Sequence, residues 1–401
     1  MKKVVEINTF SMGSTGNIML NIATLFRDKG GEILTYSTNF FSRQYQKLPP
    51  APQGHKYYGS YFENLIHFGL AYITGYGETF SVLSTKRLIR QLKKYNPDII
   101  HLHNLHDYCI NFPLLFKYIK KNNIKVIWTL HDCWTFTGHC PHFDMIGCNK
   151  WKTQCGNCPQ YKQYPKSLFD NSSKMHRLKK KWFTGVNDMT LIAPSNWLAD
   201  LVKISFLKDY PVKVIHNGID LSVFKPTESD FREKYNIKDK FIVLGVAFGW
   251  GIKKGLDVFI ELSKRLNENF QIVLVGTDDK IDKNLPANII SIHRTQNQKE
   301  LAEIYTACDV FVNTTREDTF PTVNMEALAC GTPVITFNTG GSPEIIDETC
   351  GFVVEKEDIE GLIDKIQVVH KECVFSKEDC IRRAKKFDRN ERFQEYIKSY
   401  L

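Results

Sequence analysis

Nowhere in the 401 residues does an apolar run approach the roughly 18 residues that a helical bilayer crossing requires, which excludes an integral protein of that kind. No secretory leader is recognisable. The chain opens MKKVVEINTF and goes straight into a strand, so the expectation is a cytoplasmic protein. A disulfide framework is lacking as well: eleven cysteines, an odd number without an export signal, argue against one. The first glycine-containing turn, SMGSTGN, has neither the lysine of a phosphate-binding P-loop nor the third glycine of a dinucleotide fingerprint. Nucleic-acid recognition motifs are missing and the basic residues are dispersed, so no nucleic-acid partner is expected.

What is present is ordinary for a globular protein: 42% hydrophobic and 24% charged residues, with a net charge of +9 that favours anionic partners. The length exceeds that at which one core stops growing, so two domains are expected. Strand and helix patterns alternate from residue 3 to about 220 and restart at Phe241. Such alternation predicts two parallel sheets with helices on both faces.

The most informative stretch is TREDTFPTVNMEALACGTPV, residues 315–334. It follows the apolar run DVFVN, so Glu317 and Asp318 fall at the carboxyl edge of a parallel sheet, where open α/β sheets bind ligands. Pro321, which has no N–H of its own, stands where a helix would begin, and the backbone N–H groups of Phe320, Thr322 and Val323 around it suit a phosphate. Glu326 lies inside that helix, eight residues after Asp318, so one carboxylate can meet sugar hydroxyls while the other accepts from a ribose diol. Upstream, FGWGIKKGLD supplies Lys253 and Lys254 beside glycines, and downstream TGGSPEIID offers a close backbone approach.

Two histidine groups end adjacent strands, HLHNLHDY and WTLHDCW. His101 and His103 share a strand face without a carboxylate at ligand spacing, so a hydrogen-bonded core role is preferred to a metal. His131 stands at a strand's carboxyl end. Next come Cys140, Cys148, Cys155 and Cys158, ending in a Cys-x-x-Cys half-site; a structural zinc, free thiols and a redox pair all remain open. KMHRLKKKWF, residues 174–183, joins basic residues to Trp182 and Phe183 and suits either an anionic membrane surface or a solvated helix face. The aromatic insertion at residues 57–80 reads as acceptor-binding, interface-forming or a short packed helix.

Taken together, the 315–334 stretch, the lysine-glycine loop and the Asn217-Gly218 junction resemble retaining glycosyltransferase family 4, in the branch that builds bacterial surface polysaccharides. The resemblance implies a GT-B architecture: an acceptor-binding Rossmann-like domain at 1–222 with a cysteine-rich insertion near 139–160, and a nucleotide-sugar-binding domain at 223–386. A helix at 387–401 would return to the first domain. It further implies transfer from a nucleotide-diphosphate sugar to a glycan or polyprenyl-linked acceptor with no catalytic cofactor, at the inner face of the plasma membrane. His131, Glu317, Asp318 and Lys254 would be catalytic. Donor contacts would come from Gly13, Ser14, Thr15, Gly16, Lys253, Lys254, Arg294, Phe320, Pro321, Thr322, Val323 and Glu326. Gly249 stands where the family carries an arginine, which keeps open a sugar-nucleotide-binding protein without catalysis, beside an epimerase of the same fold.

Overall fold

The computed structural model describes residues 2–38 and 52–401. Contacts divide the chain into two compact units, Met1–Ile215 with Phe393–Leu401, and His216–Arg392.

In the first unit, β1 (Lys3–Ile7), α1 (Gly13–Asp28), β2 (Glu32–Ser37), β3 (His55–Tyr57), α2 (Tyr61–Thr74) and α3 (Val82–Tyr95) lead to β4 (Ile99–Leu102). Then follow α4 (Phe112–Asn122), β5 (Lys125–Thr129), α5 (Ser172–Phe183), β6 (Met189–Ala193), α6 (Asn196–Lys203) and β7 (Val212–Val214). All pairings are parallel, in the order β3-β2-β1-β4-β5-β6-β7. Parallel strands are covered on both faces, which is why β4 (IIHL) is buried at every position. Helix ends are sequence-specified: Gly75, Asn96 and Asn123 adopt the left-handed conformation after α2, α3 and α4, while Asn111 and Ser195 cap α4 and α6 with their side chains.

The second unit repeats the plan with α7 (Phe231–Lys234), β8 (Phe241–Val246), α8 (Leu256–Arg265), β9 (Phe270–Val275), α9 (Asp279–Asp282) and β10 (Ile289–Ile292). It continues through α10 (Gln298–Ala307), β11 (Val310–Asn313), α11 (Thr322–Ala329), β12 (Val334–Phe337), β13 (Gly351–Val354), α12 (Ile359–Glu372) and α13 (Lys377–Ala384). Its parallel sheet runs β10-β9-β8-β11-β12-β13. The second order is the Rossmann 3-2-1-4-5-6 and the first is the same with a seventh strand, β7, added beside β6, so each sheet has one point where the strand order reverses: β1/β4 and β8/β11. Ligands bind outside the carboxyl ends of the strands at such a point.

The last helix, α14 (Arg389–Tyr400), begins in the second unit and ends in the first, where Phe393, Tyr396, Ile397 and Tyr400 pack with Val4, Ile22 and Ile33. The Tyr400 hydroxyl donates to Glu6 and lies 2.6 Å from Nδ1 of His101. Among the described residues, no helix is long and apolar enough to cross a membrane.

Two sequence expectations change, and the reading of a third segment narrows. The glycine-containing loop at 13–17 is instead the first turn of α1, because Gly13 takes a φ of +76° and turns the chain directly into the helix. In α5, Trp182 and Phe183 are buried with Met175 against the core, so the 174–183 segment has no apolar side left for a membrane. The insertion at 57–80 is mainly α2, one of whose faces is solvent-exposed.

Candidate active site

In the second unit, the carboxyl ends of β8 and β11 bring together what the sequence separates by some sixty residues. Lys254 Nζ donates to Asp318 Oδ2 at 3.0 Å and to Thr315 Oγ1 at 3.3 Å. Lys253 Nζ donates to Glu317 Oε2 at 2.7 Å. The two acids differ in accessibility: the Glu317 side chain is 3% exposed and Asp318 24%. Glu317 therefore anchors Lys253, and its Oε1 is buried without a partner. Asp318 faces outward. An ion pair as exposed as Lys254–Asp318 is worth only about 0–1 kcal/mol of stability. The pair is better explained by what it presents than by what it holds together.

Two glycines make this approach sterically feasible. At Gly255, with φ +75°, an added Cβ would lie 2.1 Å from Thr314 Oγ1. At Gly340, with φ +54°, it would lie 1.7 Å from the Asp318 carbonyl oxygen. The lysine turn and the TGG turn thus both close on the loop after β11.

Asn313, at the end of β11, donates to the Asn324 side chain at 2.7 Å and so sets α11 against the strand. Pro321 precedes α11 and contributes no capping side chain. The Phe320 amide is not available for a phosphate, since it donates to Asp318 Oδ1 at 3.3 Å, and the Phe320 ring is buried and stacked on His216 at 4.7 Å. Thr322 and Val323 open the helix. Glu326 lies one turn further along α11 and accepts from the Tyr305 hydroxyl at 3.3 Å. Burial raises its carboxyl to about 7, against hydrogen bonds from Thr322 and Tyr305 that favour the ionised form.

Arg294 is not brought to this group. It lies beyond the edge strand β10, with β9 and β8 between it and β11. Arg316 was missed although it sits inside the key stretch. Its buried guanidinium donates to both oxygens of Asp257, at 2.7 and 2.8 Å, and to Glu357 Oε2 at 2.7 Å. Those partners lie 59 and 41 residues away, so no local pattern could reveal the cluster. Its effect is to clamp the lysine turn, since the Arg316 amide also donates to the Lys253 carbonyl at 2.9 Å. Also unforeseen is Phe248, 82% exposed in the loop after β8. At Gly249 a Cβ would meet nothing within 4 Å, so backbone crowding does not account for the missing arginine.

In the first unit the β1/β4 ends carry the start of α1 and the histidines. Asn8 donates to Thr15 Oγ1 at 3.0 Å, and a Cβ on Gly16 would lie 2.7 Å from Ser11 C, so the first turn packs directly on the preceding loop. His101 is a fully used core residue: Nδ1 meets Glu6 and Tyr400, and Nε2 lies 2.7 Å from Thr129 Oγ1. The carboxylate absent at ligand spacing along the sequence comes from the neighbouring strand, where Glu6 pairs in register with His101. Glu6, His101 and His103 are the one group of three potential metal ligands within 4.8 Å of one another among the described residues.

His131 Nε2 lies 3.2 Å from His103 Nδ1, and the rings stack at 5.5 Å. Burial lowers His131 to about 4, so it is a neutral imidazole near pH 7. Asp132 is committed elsewhere: Oδ2 accepts from His106 at 2.7 Å and Oδ1 from the Trp134 amide at 2.8 Å. Burial alone would lower His106, but the Asp132 carboxylate outweighs it and lifts that imidazole to about 9.

Cys140, Cys148, Cys155 and Cys158 line one small cavity. Cys155 Sγ accepts from the Gly138 amide at 3.2 Å. The four thiols are not drawn within 4.8 Å of one another, so no closed ligand set is formed.

With this geometry in hand, the description "Glycosyltransferase Family 4" matches residues 17–223, more than half of the chain, and "Glycosyl transferases group 1" matches residues 227–387. The chain belongs to glycosyltransferase family 4. The putative colanic acid biosynthesis glycosyl transferase WcaC of Escherichia coli is 25% identical over 67% of this family 4 chain and 66% of its own length. The N,N'-diacetylbacillosaminyl-diphospho-undecaprenol alpha-1,3-N-acetylgalactosaminyltransferase of Campylobacter jejuni is 27% identical over 56% of this chain and 63% of its own. The match thus spans just under two thirds of each relative. Among solved structures, sucrose-phosphate synthase of Thermosynechococcus elongatus aligns with a TM-score of 0.70 at 16% identity, covering 100% of this chain and 98% of that one. Anabaena HepE in complex with UDP aligns with a TM-score of 0.69 at 15% identity, covering 99% of each. At such identities the likeness establishes the fold, and the two Rossmann-like units are those of a GT-B protein.

Proposed function

We propose that this family 4 member transfers a glycosyl unit from a nucleoside-diphosphate sugar to a hydroxyl of a glycan or polyprenyl-linked acceptor, with retention of configuration, in cell-surface polysaccharide assembly at the cytoplasmic face of the membrane. The observation that carries this reading is the Lys254–Asp318 pair at the β8/β11 reversal point, with Glu326 behind it on α11. The names of the relatives support it, one of them a transferase acting on an undecaprenol-linked sugar.

In this reading Lys253, Lys254 and the amides opening α11 meet the charge that grows on the departing diphosphate. Asp318 binds sugar hydroxyls, and Glu326 accepts from the ribose diol. His131, as a neutral imidazole, orients a sugar hydroxyl. An inverting route needs a general base for the acceptor hydroxyl. Asp132 is a poor one because His106 and the Trp134 amide hold its carboxylate ionised, well below the usual range. A same-face route instead lets the departing phosphate oxygen take that proton as the new glycosidic bond forms. NMR of the product's anomeric proton tests this: the donor's configuration is expected in the product, turnover should survive a chelator as long as the protein stays folded when the cysteine cavity is stripped of zinc, and an inverted linkage would refute the mechanism.

We further propose a structural zinc at the cysteine cavity, which would have to draw together four lining thiols that stand apart in this structure; the support is that all four line one small cavity and that an amide donates to one of the sulfurs. About one zinc per chain is expected on metal analysis, falling sharply in the Cys155→Ser, Cys158→Ser double variant. A parent protein purified without zinc and unchanged by added zinc would overturn the assignment.

A further inference from the structure

Helix α2 is turned inside out. Its polar residues Asn64 and His67 are fully buried, with His67 Nδ1 2.6 Å from Ser81 Oγ and its ring edge-on to Phe80 and Tyr108. The opposite face carries Phe62 at 75% exposure, Leu65, Ile66 at 61%, Gly69 and Ile73. These positions recur at three- and four-residue intervals and so form one stripe. Leu83, 67% exposed, adjoins its N-terminal end, where Glu63 accepts from the amides of Leu83 and Ser84. Leu168 and Phe169 adjoin the other end, through the bond from the Leu168 amide to the Tyr72 carbonyl. A contiguous exposed apolar stripe of this kind marks an interaction surface.

Charge around the stripe selects the partner. At its N-terminal end α3 exposes Lys86, Arg87 and Arg90 and contains no acid, and Arg87 donates to the Tyr58 carbonyl just before α2. At the C-terminal end Lys174 lies 5.0 Å from the Tyr76 ring centroid and Lys166 is exposed. The nearby acids are already committed: Glu63 caps α3, and Asp170 accepts from the amides of Cys158 and Ser172. A second copy docked about a two-fold axis would set this basic rim against itself. A surface of anionic headgroups over acyl chains matches both features.

We propose that α2 docks the protein on an anionic bilayer, its stripe entering the headgroup boundary while the flanking lysines and arginines meet lipid phosphates. Docking by this face is independent of glycosyl transfer, so either can fail alone.

The test is flotation of the full chain with vesicles of phosphatidylcholine alone, or of phosphatidylcholine mixed with phosphatidylglycerol. Binding is expected only to the mixed vesicles and should weaken with salt. The double variant Phe62→Gln, Ile66→Gln changes only exposed positions and keeps helix-forming residues. It should lose about tenfold or more in vesicle affinity while melting as the parent does. Lys86→Gln, Arg90→Gln should lower the affinity as well and flatten the salt dependence. Equal binding by parent and double variant would overturn the proposal. So would a concentration-dependent dimer in sedimentation that the double variant abolishes. Transfer to a water-soluble acceptor reports on the function separately, since vesicle binding that persists without any transfer would count only against the proposed activity.

Discussion

Replacing Glu326 by glutamine should weaken binding of a nucleoside diphosphate by about 10- to 150-fold, the equivalent of one charge-assisted hydrogen bond of roughly 1.5–3 kcal/mol. Glutamine keeps one acceptor oxygen and loses the charge, so the effect isolates the ionised carboxylate. Burial holds the Glu326 carboxyl at about 7 in the folded protein, above its ordinary range. Between the ordinary carboxyl range and pH 7 the folded state therefore binds more protons than the unfolded chain, and stability falls as pH rises through that window. The variant has no such group. It should melt above the parent at pH 8 and lose that advantage at pH 5. Donor binding moves the other way, because the ribose diol needs an ionised acceptor: parent affinity should rise through pH 7 more steeply than the variant's. Phosphate titration affects both proteins, so the difference between the two curves reports Glu326. Calorimetric titration with a panel of nucleoside diphosphates supplies the measurement, and equal affinities at pH 8 would remove Glu326 from the donor site.

The second large effect is expected at Lys254, where methionine should cost about 10²–10³ in kcat, the range for losing one preorganised group that meets transition-state charge. Thermal stability should change little, because the Lys254–Asp318 pair is partly solvated. Lys253→Met provides the contrast. Its partner Glu317 is almost wholly buried, with one oxygen already without a donor, so removing the ammonium strands a buried charge and should lower the melting temperature visibly. If instead Lys254→Met unfolded the protein while Lys253→Met melted as the parent does, the structural role would pass from Lys253 to Lys254.

Much of the fold was legible because both sheets are parallel and buried on two faces: their strands read as short apolar runs alternating with helix-length amphipathic segments. The placement of Glu317 and Asp318 at a strand's carboxyl end was legible for the same reason, since they directly follow β11. So was the start of α11 near Pro321, a local property of the residue. What stayed hidden depends on contacts between segments far apart in sequence. The 174–183 stretch shows basic and apolar residues, yet only packing reveals that Trp182 and Phe183 point into the core. Conversely, α2 looks like an ordinary apolar helix until His67 is found inside and Phe62 outside.

By itself, then, the sequence determined the two Rossmann-like series, their helix stops and the acid pair at the end of β11, because periodicity, left-handed caps and strand ends are local. Only the tertiary structure decided that Lys253 belongs to Glu317 and Lys254 to Asp318, and that Arg316 clamps their turn through Asp257 and Glu357. It also decided that Glu6 comes from β1 to meet His101. The physical reason is common to all of these contacts. A buried or half-buried polar group takes its stability from the partner that replaces water, and that partner is selected by which strand and loop ends the sheet order brings together, not by neighbours along the chain.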